Sequence, residues 1–119
     1  MKYDITHALE RLTPGASWVM IDMSYDKLDW QDEVQSKPSL QDIENKLAEL
    51  AAAEPMRLLR LERDKRIAET DWWVLPDRTP TPEQLSYRQA LRDITVDADP
   101  KLDSKYNLDM SSINWPVKP

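Results

Sequence analysis

Leu40, Ile43, Leu47 and Leu50 recur at 3-4-3 spacing through an otherwise polar stretch, the stripe of an amphipathic helix with a short heptad seam. Ser39 precedes it as an N-cap with Asp42 three residues on, a capping-box-like start. The seam lasts about one and a half heptads before its register reaches Glu54 and Arg57. Pro55 removes a backbone donor there and disfavours helix at Glu54, which predicts a kink or break. The pattern resumes with Leu58, Leu59, Leu61 and Ile67 on a second helix over 56–69, nearly all good helix formers. As one rod, residues 39–69 would span roughly 45 Å at about 1.5 Å per residue.

The flanks pattern differently. In residues 1–38, Thr6 reads as the N-cap of a short helix through Leu12, with Thr13, Pro14 and Gly15 as stop and turn. Residues 17–23 are β-branched and aromatic, and residues 25–30 alternate, which predicts a small β-hairpin. An isolated hairpin is marginal in water, so this module needs something else to pack on. Beyond residue 69, residues 70–77 form a helix exit carrying Trp72 and Trp73. Thr79, Pro80, Thr81, Pro82, Glu83 and Gln84 follow as a cap with proline at the first helical position. A third helix over 82–94 places Leu85, Ala90 or Leu91, and Ile94 towards one side with Tyr87 nearby, packing on the long helix through Leu58, Leu61, Ile67, Leu85 and Leu91. A polar, mostly irregular tail ends in Asn114, Trp115, Pro116, Val117, Lys118 and Pro119. The predicted fold is α+β, mainly α: an N-terminal helix and β-hairpin (1–38), a helical region with a long broken amphipathic helix and an antiparallel one (39–95), and an extended acidic tail (96–119).

Composition narrows the chemistry. The 119 residues suffice for one modest domain, and with no Phe the core rests on aliphatics, five Trp and four Tyr. Nine prolines against one glycine exclude the usual phosphate-cradling loops, and the absence of cysteine excludes disulfides, thiolate catalysis and thiolate zinc sites. A net charge of −6 has the wrong sign for tracking a phosphate backbone, so nucleic acid is not an expected partner. No apolar run suits a signal peptide or a membrane span, which points to a soluble, cytoplasmic protein.

No catalytic constellation is visible. His7 has no metal-ligand partner at i+4 and no nucleophile elbow exists, so His7 reads as a surface or cap-proximal residue. Asp97, Asp99 and Asp103 lack the remaining ligands of an EF-hand loop and read as a solvated acidic loop. Arg57, Arg60, Arg63, Lys65 and Arg66 interleave with acids as a solvated helix face does. Trp72 and Trp73 point about 100° apart on a helix, so one small core cannot easily hold both, and one of them is free to serve a partner. Trp115 is either a latch onto the protein's own body or an anchor for another chain. The stripe Leu40, Ile43, Leu47, Leu50, continued by Leu58 and Leu61, either covers the N-terminal module or forms a homo- or hetero-oligomeric interface, and the thin core favours the second.

Residues 60–77, then Glu83, Gln84 and Leu85 with residues 87–94, and finally residues 114–119 resemble the phage tail assembly chaperone family. The shared text is an arginine-aspartate helix running into a threonine-aspartate-tryptophan exit, a proline-aspartate turn, a tyrosine-arginine-glutamine helix and a tryptophan-proline terminus. Its parts stand in order over about residues 57–95 plus the last six. Trp73 and the acidic insert 97–110 depart from the pattern. The resemblance implies a non-enzymatic helper, without cofactor or metal, acting in the cytoplasm of an infected bacterial host. It would bind the distal C-terminal region of the tail fibre while the fibre folds and trimerises, and be released or retained on the fibre. The alternative is a permanent structural component at the fibre tip or baseplate. Trp72, Trp73, Tyr87, Leu91 and Trp115 are the expected partner-binding residues.

Overall fold

The computed structural model describes all of residues 1–119 and divides them into two units, 1–53 and 54–119. One long helix, α2 (Leu40–Ala68), runs through both. The fold is α+β and mainly α, as the pattern predicts.

In the first unit, α1 (Ile5–Leu12) begins at Asp4, not Thr6. The Asp4 carboxylate accepts the N–H groups of Thr6 at 3.0 Å and His7 at 3.3 Å, while His7 Nδ1 accepts the Asp4 N–H at 3.0 Å. Histidine thus takes the place a glutamate usually fills in a capping box. Thr6 is already helical, and its hydroxyl donates to the same carboxylate. The helix ends at Thr13, whose hydroxyl donates to the Leu9 carbonyl at 2.9 Å, and Gly15 supplies the positive φ of 75° that the next turn needs.

The hairpin exists but is short. β1 (Trp18–Val19) pairs antiparallel with β2 (Asp29–Trp30), Trp18 opposite Trp30. The intervening chain leaves the extended conformation at Asp22 and Met23, both with positive φ, and forms a 3₁₀ turn at Tyr25–Lys27 where alternation predicted strand. Tyr25 is drawn away from the ladder: its hydroxyl donates to the Pro38 carbonyl at 2.8 Å and its ring lies 4.5 Å from Lys37 Nζ. Asp32 ties the strand ends, accepting from the N–H groups of Ser17 and Gln35. The cover this module needs comes from α2: Ile43 joins Ala8, Leu9 and Leu28 in a buried cluster, with Leu47 packed against it.

The predicted break at Pro55 is absent, since α2 continues through it. Proline forfeits one bond, to the carbonyl of Ala51, which lies at an exposed position. An ion pair spans the interruption: Arg57 donates to the Glu54 carboxylate at 2.8 and 2.6 Å, one turn on, with Glu54 only 1% exposed. Good helix formers on both sides carry the helix past the local cost.

In the second unit a 3₁₀ turn (Asp71–Val74) follows α2, and α3 (Pro82–Asp93) opens on the predicted Thr81 cap with Pro82 first and Gln84 closing a capping box. The buried positions of α3 are Tyr87, Arg88 and Leu91. Leu85 is 47% exposed and Leu61 54% exposed, contrary to the expected helix pairing. Each lies two residues, about 200° of helical rotation, from a buried neighbour, Tyr87 and Leu59. Between α3 and the tail, Leu102 and Leu108 form an isolated antiparallel bridge, and the Asp103 side chain accepts from the N–H groups of Lys105 and Asn107.

Candidate functional site

The second unit gathers most of its aromatic and buried cationic side chains around the exit of α2. Thr70 caps the end of that helix, its hydroxyl donating to the Ile67 carbonyl at 2.9 Å. Arg88, one residue after Tyr87 on α3 and largely buried, reaches across: it donates to the Ile67 carbonyl at 3.1 Å, to Thr70 Oγ1 at 2.8 Å and to Asp71 Oδ1 at 3.1 Å. Two nitrogens of one planar fork reach the three acceptors at once, a spread that the single nitrogen of a lysine ammonium does not match. The interaction closes the helix C-terminus, whose last carbonyls favour a cation.

Beside this lies an aromatic cluster. Trp73, Tyr87 and Leu91 are buried together, with Ile67 and Trp115 packed against them. The Trp73 and Tyr87 rings stand 6.0 Å apart at 57°, and the Trp72 and Trp73 rings 6.1 Å apart at 74°. The adjacent tryptophans part company as their geometry requires, Trp73 at 4% exposure and Trp72 at 48%. The Arg78 guanidinium sits 4.4 Å from the Trp72 ring centroid, and both line an open cleft of about 480 Å³ with Asp77, Thr79, Thr81 and Gln84. Arg66, paired with Glu62 at 3.0 Å, lies 4.0 Å over the Trp115 ring.

Of the residues expected to bind a partner, Trp73, Tyr87, Leu91 and Trp115 meet in this one cluster, and Trp72 borders it facing outward. The stripe on α2 is divided: Ile43 and Leu47 serve the first unit's core, Leu50 and Leu58 are half-buried, and Leu40 and Leu61 are exposed. Sequence reasoning missed Arg88 and Arg78 and read Arg66 as part of a solvated helix face, where it instead covers the Trp115 ring. The available signal for Arg88 was a cation inside the apolar face that Tyr87 and Leu91 define. His7 stands in the first unit as part of the α1 cap.

An aromatic junction, locked by an arginine at a helix end and with Trp115 of the C-terminal segment packed against it, is the centre of this small, mainly helical second unit. Thr70, Asp71, Tyr87, Arg88 and Trp115 all take part in it. The family model of the phage tail assembly chaperone protein matches residues 56–119, and the chain belongs to that family. The match includes the acidic stretch 97–110 and coincides closely with the second unit. No curated protein and no solved structure matches the chain. Membership gives the chain a role in phage tail assembly. No helix is long and apolar enough to cross a membrane.

Proposed function

We propose that this chain is a tail fibre assembly chaperone, which holds the distal C-terminal region of the fibre while that region folds and trimerises. Family membership supports the class of activity. The observation that carries the reading further is Trp72, a large aromatic left half in solvent beside a cation at the mouth of an open cleft. Tryptophan and arginine are the residues most enriched at binding hot spots. Trp73 lines the same cleft and packs with Tyr87 and Leu91 in the buried cluster. A site built for holding another chain needs no cofactor and no acid-base pair, in keeping with a non-enzymatic helper in the cytoplasm of the infected host. Self-association through α2 would fall to Leu40 and Leu61, because Ile43 and Leu47 are already used within the chain.

Co-expression with the C-terminal portion of the tail fibre, followed by pull-down and light-scattering mass, tests this. Soluble trimeric fibre obtained only in the presence of this chain supports the proposal, and a fibre that folds alone and never binds it overturns it. Trp72→Ala is expected to weaken binding to the fibre fragment by roughly 30-fold, a hot-spot loss of about 2 kcal/mol, with unchanged circular dichroism. Mass spectrometry of purified virions separates release from retention.

A further inference from the structure

The hairpin of the first unit has one side packed and one side bare. Trp18, Met20 and Trp30 pack against the buried cluster of Ala8, Leu9, Leu28 and Ile43. Alternation along an extended chain puts their neighbours on the opposite side, where Val19 is 46% and Ile21 44% exposed. The turn that follows adds a third apolar side chain under backbone strain. Asp22 and Met23 have φ of 55° and 48°, and the Ser24 N–H donates to the Ile21 carbonyl at 3.1 Å, the signature of a type I′ turn. Asparagine, aspartate and glycine suit such positions, whereas methionine is strained there and, at 54% exposure, gains little by packing within the chain. The rim of this apolar row is acidic. Asp29 lies directly opposite Val19 in the ladder, on the same side of the sheet, and Asp26 is exposed in the adjoining 3₁₀ turn. Neither pairs with a cation: the Asp29 carboxylate accepts only from Gln31, and Lys27 is taken by Asp22 at 2.9 Å.

A complementary face stands on α2. Leu61 is 54% exposed and is flanked by Arg60 and, one turn on, Lys65, both exposed and neither in an ion pair. The other charges of that face are balanced within the helix, Arg57 by Glu54 at 2.6 Å and Asp64 by Arg63 at 3.0 Å. We propose that the outer side of the hairpin docks a second copy of this chain, which lays the Leu61 face of its α2 along Val19, Ile21 and Met23 with Arg60 and Lys65 against Asp26 and Asp29. Apolar burial supplies the attraction and the charges set the register. So short a two-stranded sheet is marginal until other elements pack on it, and Ile43 and Leu47 of its own α2 serve the inner side alone. The hairpin lies outside the residues that match the family, so this surface is not part of the shared text. The docking does not depend on the chaperone reading; with that reading, each copy brings a Trp72 cleft and an assembly holds fibre chains side by side.

The test uses the full chain by itself. The light-scattering mass of the wild type is expected to rise above that of one chain as concentration increases, and less so at high salt. A wild type that stays monomeric up to about 1 mM overturns the proposal. One variant carries Asp26→Lys with Asp29→Lys and another Arg60→Glu with Lys65→Glu. Each is expected to self-associate at least ~10-fold more weakly with unchanged circular dichroism, because every changed side chain is exposed, and an equimolar mixture of the two is expected to associate again. Variants that associate as the wild type does, or a mixture that stays monomeric, overturn the proposal. Met23→Gly is expected to keep or raise the urea midpoint, since glycine takes a positive φ without strain, and to weaken self-association at least ~3-fold. A lowered midpoint with association unchanged would place Met23 in its own chain's packing and overturn the proposal. Fibre pull-down is read separately: a wild type that captures fibre but never self-associates sinks the docking alone, and one that self-associates but captures no fibre sinks the chaperone reading alone.

Discussion

Arg88 shows how one side chain ties together text that looks scattered in the sequence. Threonine and aspartate at 70 and 71 and arginine at 88 read as common polar residues, yet they form one hydrogen-bonded group at the end of α2. Arg88→Ala leaves the Thr70 hydroxyl oxygen without its buried donor, while the Ile67 carbonyl keeps the Thr70 N–H and O–H, and is expected to cost about 1–2 kcal/mol in urea denaturation. Arg88→Lys recovers less than half of that, since an ammonium cannot fork. Asp71→Ala costs under about 1 kcal/mol, because that carboxylate is largely in water. Asp4 gives a pH prediction. The Thr6 hydroxyl chiefly, with the His7 and Thr6 N–H groups, holds its carboxyl below the ordinary carboxylate value, against a smaller opposing effect of burial. A depressed folded value means that the stabilisation is present above the unfolded value and is lost as pH falls through the folded one. Asp4→Asn keeps the cap but is expected to flatten the acid side of a melting-temperature profile, where pH falls through and below the ordinary carboxylate range. The remaining slope includes Asp32, lowered mainly by the Gln35 N–H.

At the scale of elements, ends were easier to read than interiors. The α3 cap was legible because Thr81, Pro82 and Gln84 act within one turn, and the Ser39 cap of α2 for the same reason, its hydroxyl accepting the Asp42 N–H at 3.0 Å. The α1 cap was displaced by two residues, because a histidine in the capping-box position carries no established sequence signal. The continuity of α2 was not legible. A local rule puts the cost of an interior proline at about 3 kcal/mol, but cannot see that the freed carbonyl belongs to an exposed Ala51 or that Glu54 and Arg57 pair across the gap. Pro55→Ala is therefore expected to stabilise the chain by about 1–2 kcal/mol in urea titration, with helix content unchanged by circular dichroism. The hairpin shrank to two residues per strand because side-chain bonds of Tyr25 and backbone turns at Asp22 and Met23 outbid the alternating pattern.

At the scale of the molecule, each unit has its own buried cluster, Ala8, Leu9, Leu28 and Ile43 in one and Trp73, Tyr87 and Leu91 in the other. Leu9→Ala is expected to cost about 2–5 kcal/mol, with hydrogen exchange rising in α1 and the hairpin well before it rises in α3. Equal acceleration throughout the chain would show one cooperative unit instead. Much was settled along the chain alone: the helical stretches, though not the continuity of α2, the proline-capped start of α3, the mainly α class, the family, and the rule that Trp72 and Trp73 could not share one core. These depend on periodicity, capping chemistry and ordered words, all of which act over a few residues. Only the tertiary structure decided which tryptophan turned inward, that Ile43 and Leu47 cover the chain's own hairpin, that Arg88 locks the end of α2, and that Trp115 rests on Arg66 with its N–H unpaired. Each of these joins residues far apart in sequence, and their order along the chain carries no record of the distance between them in space.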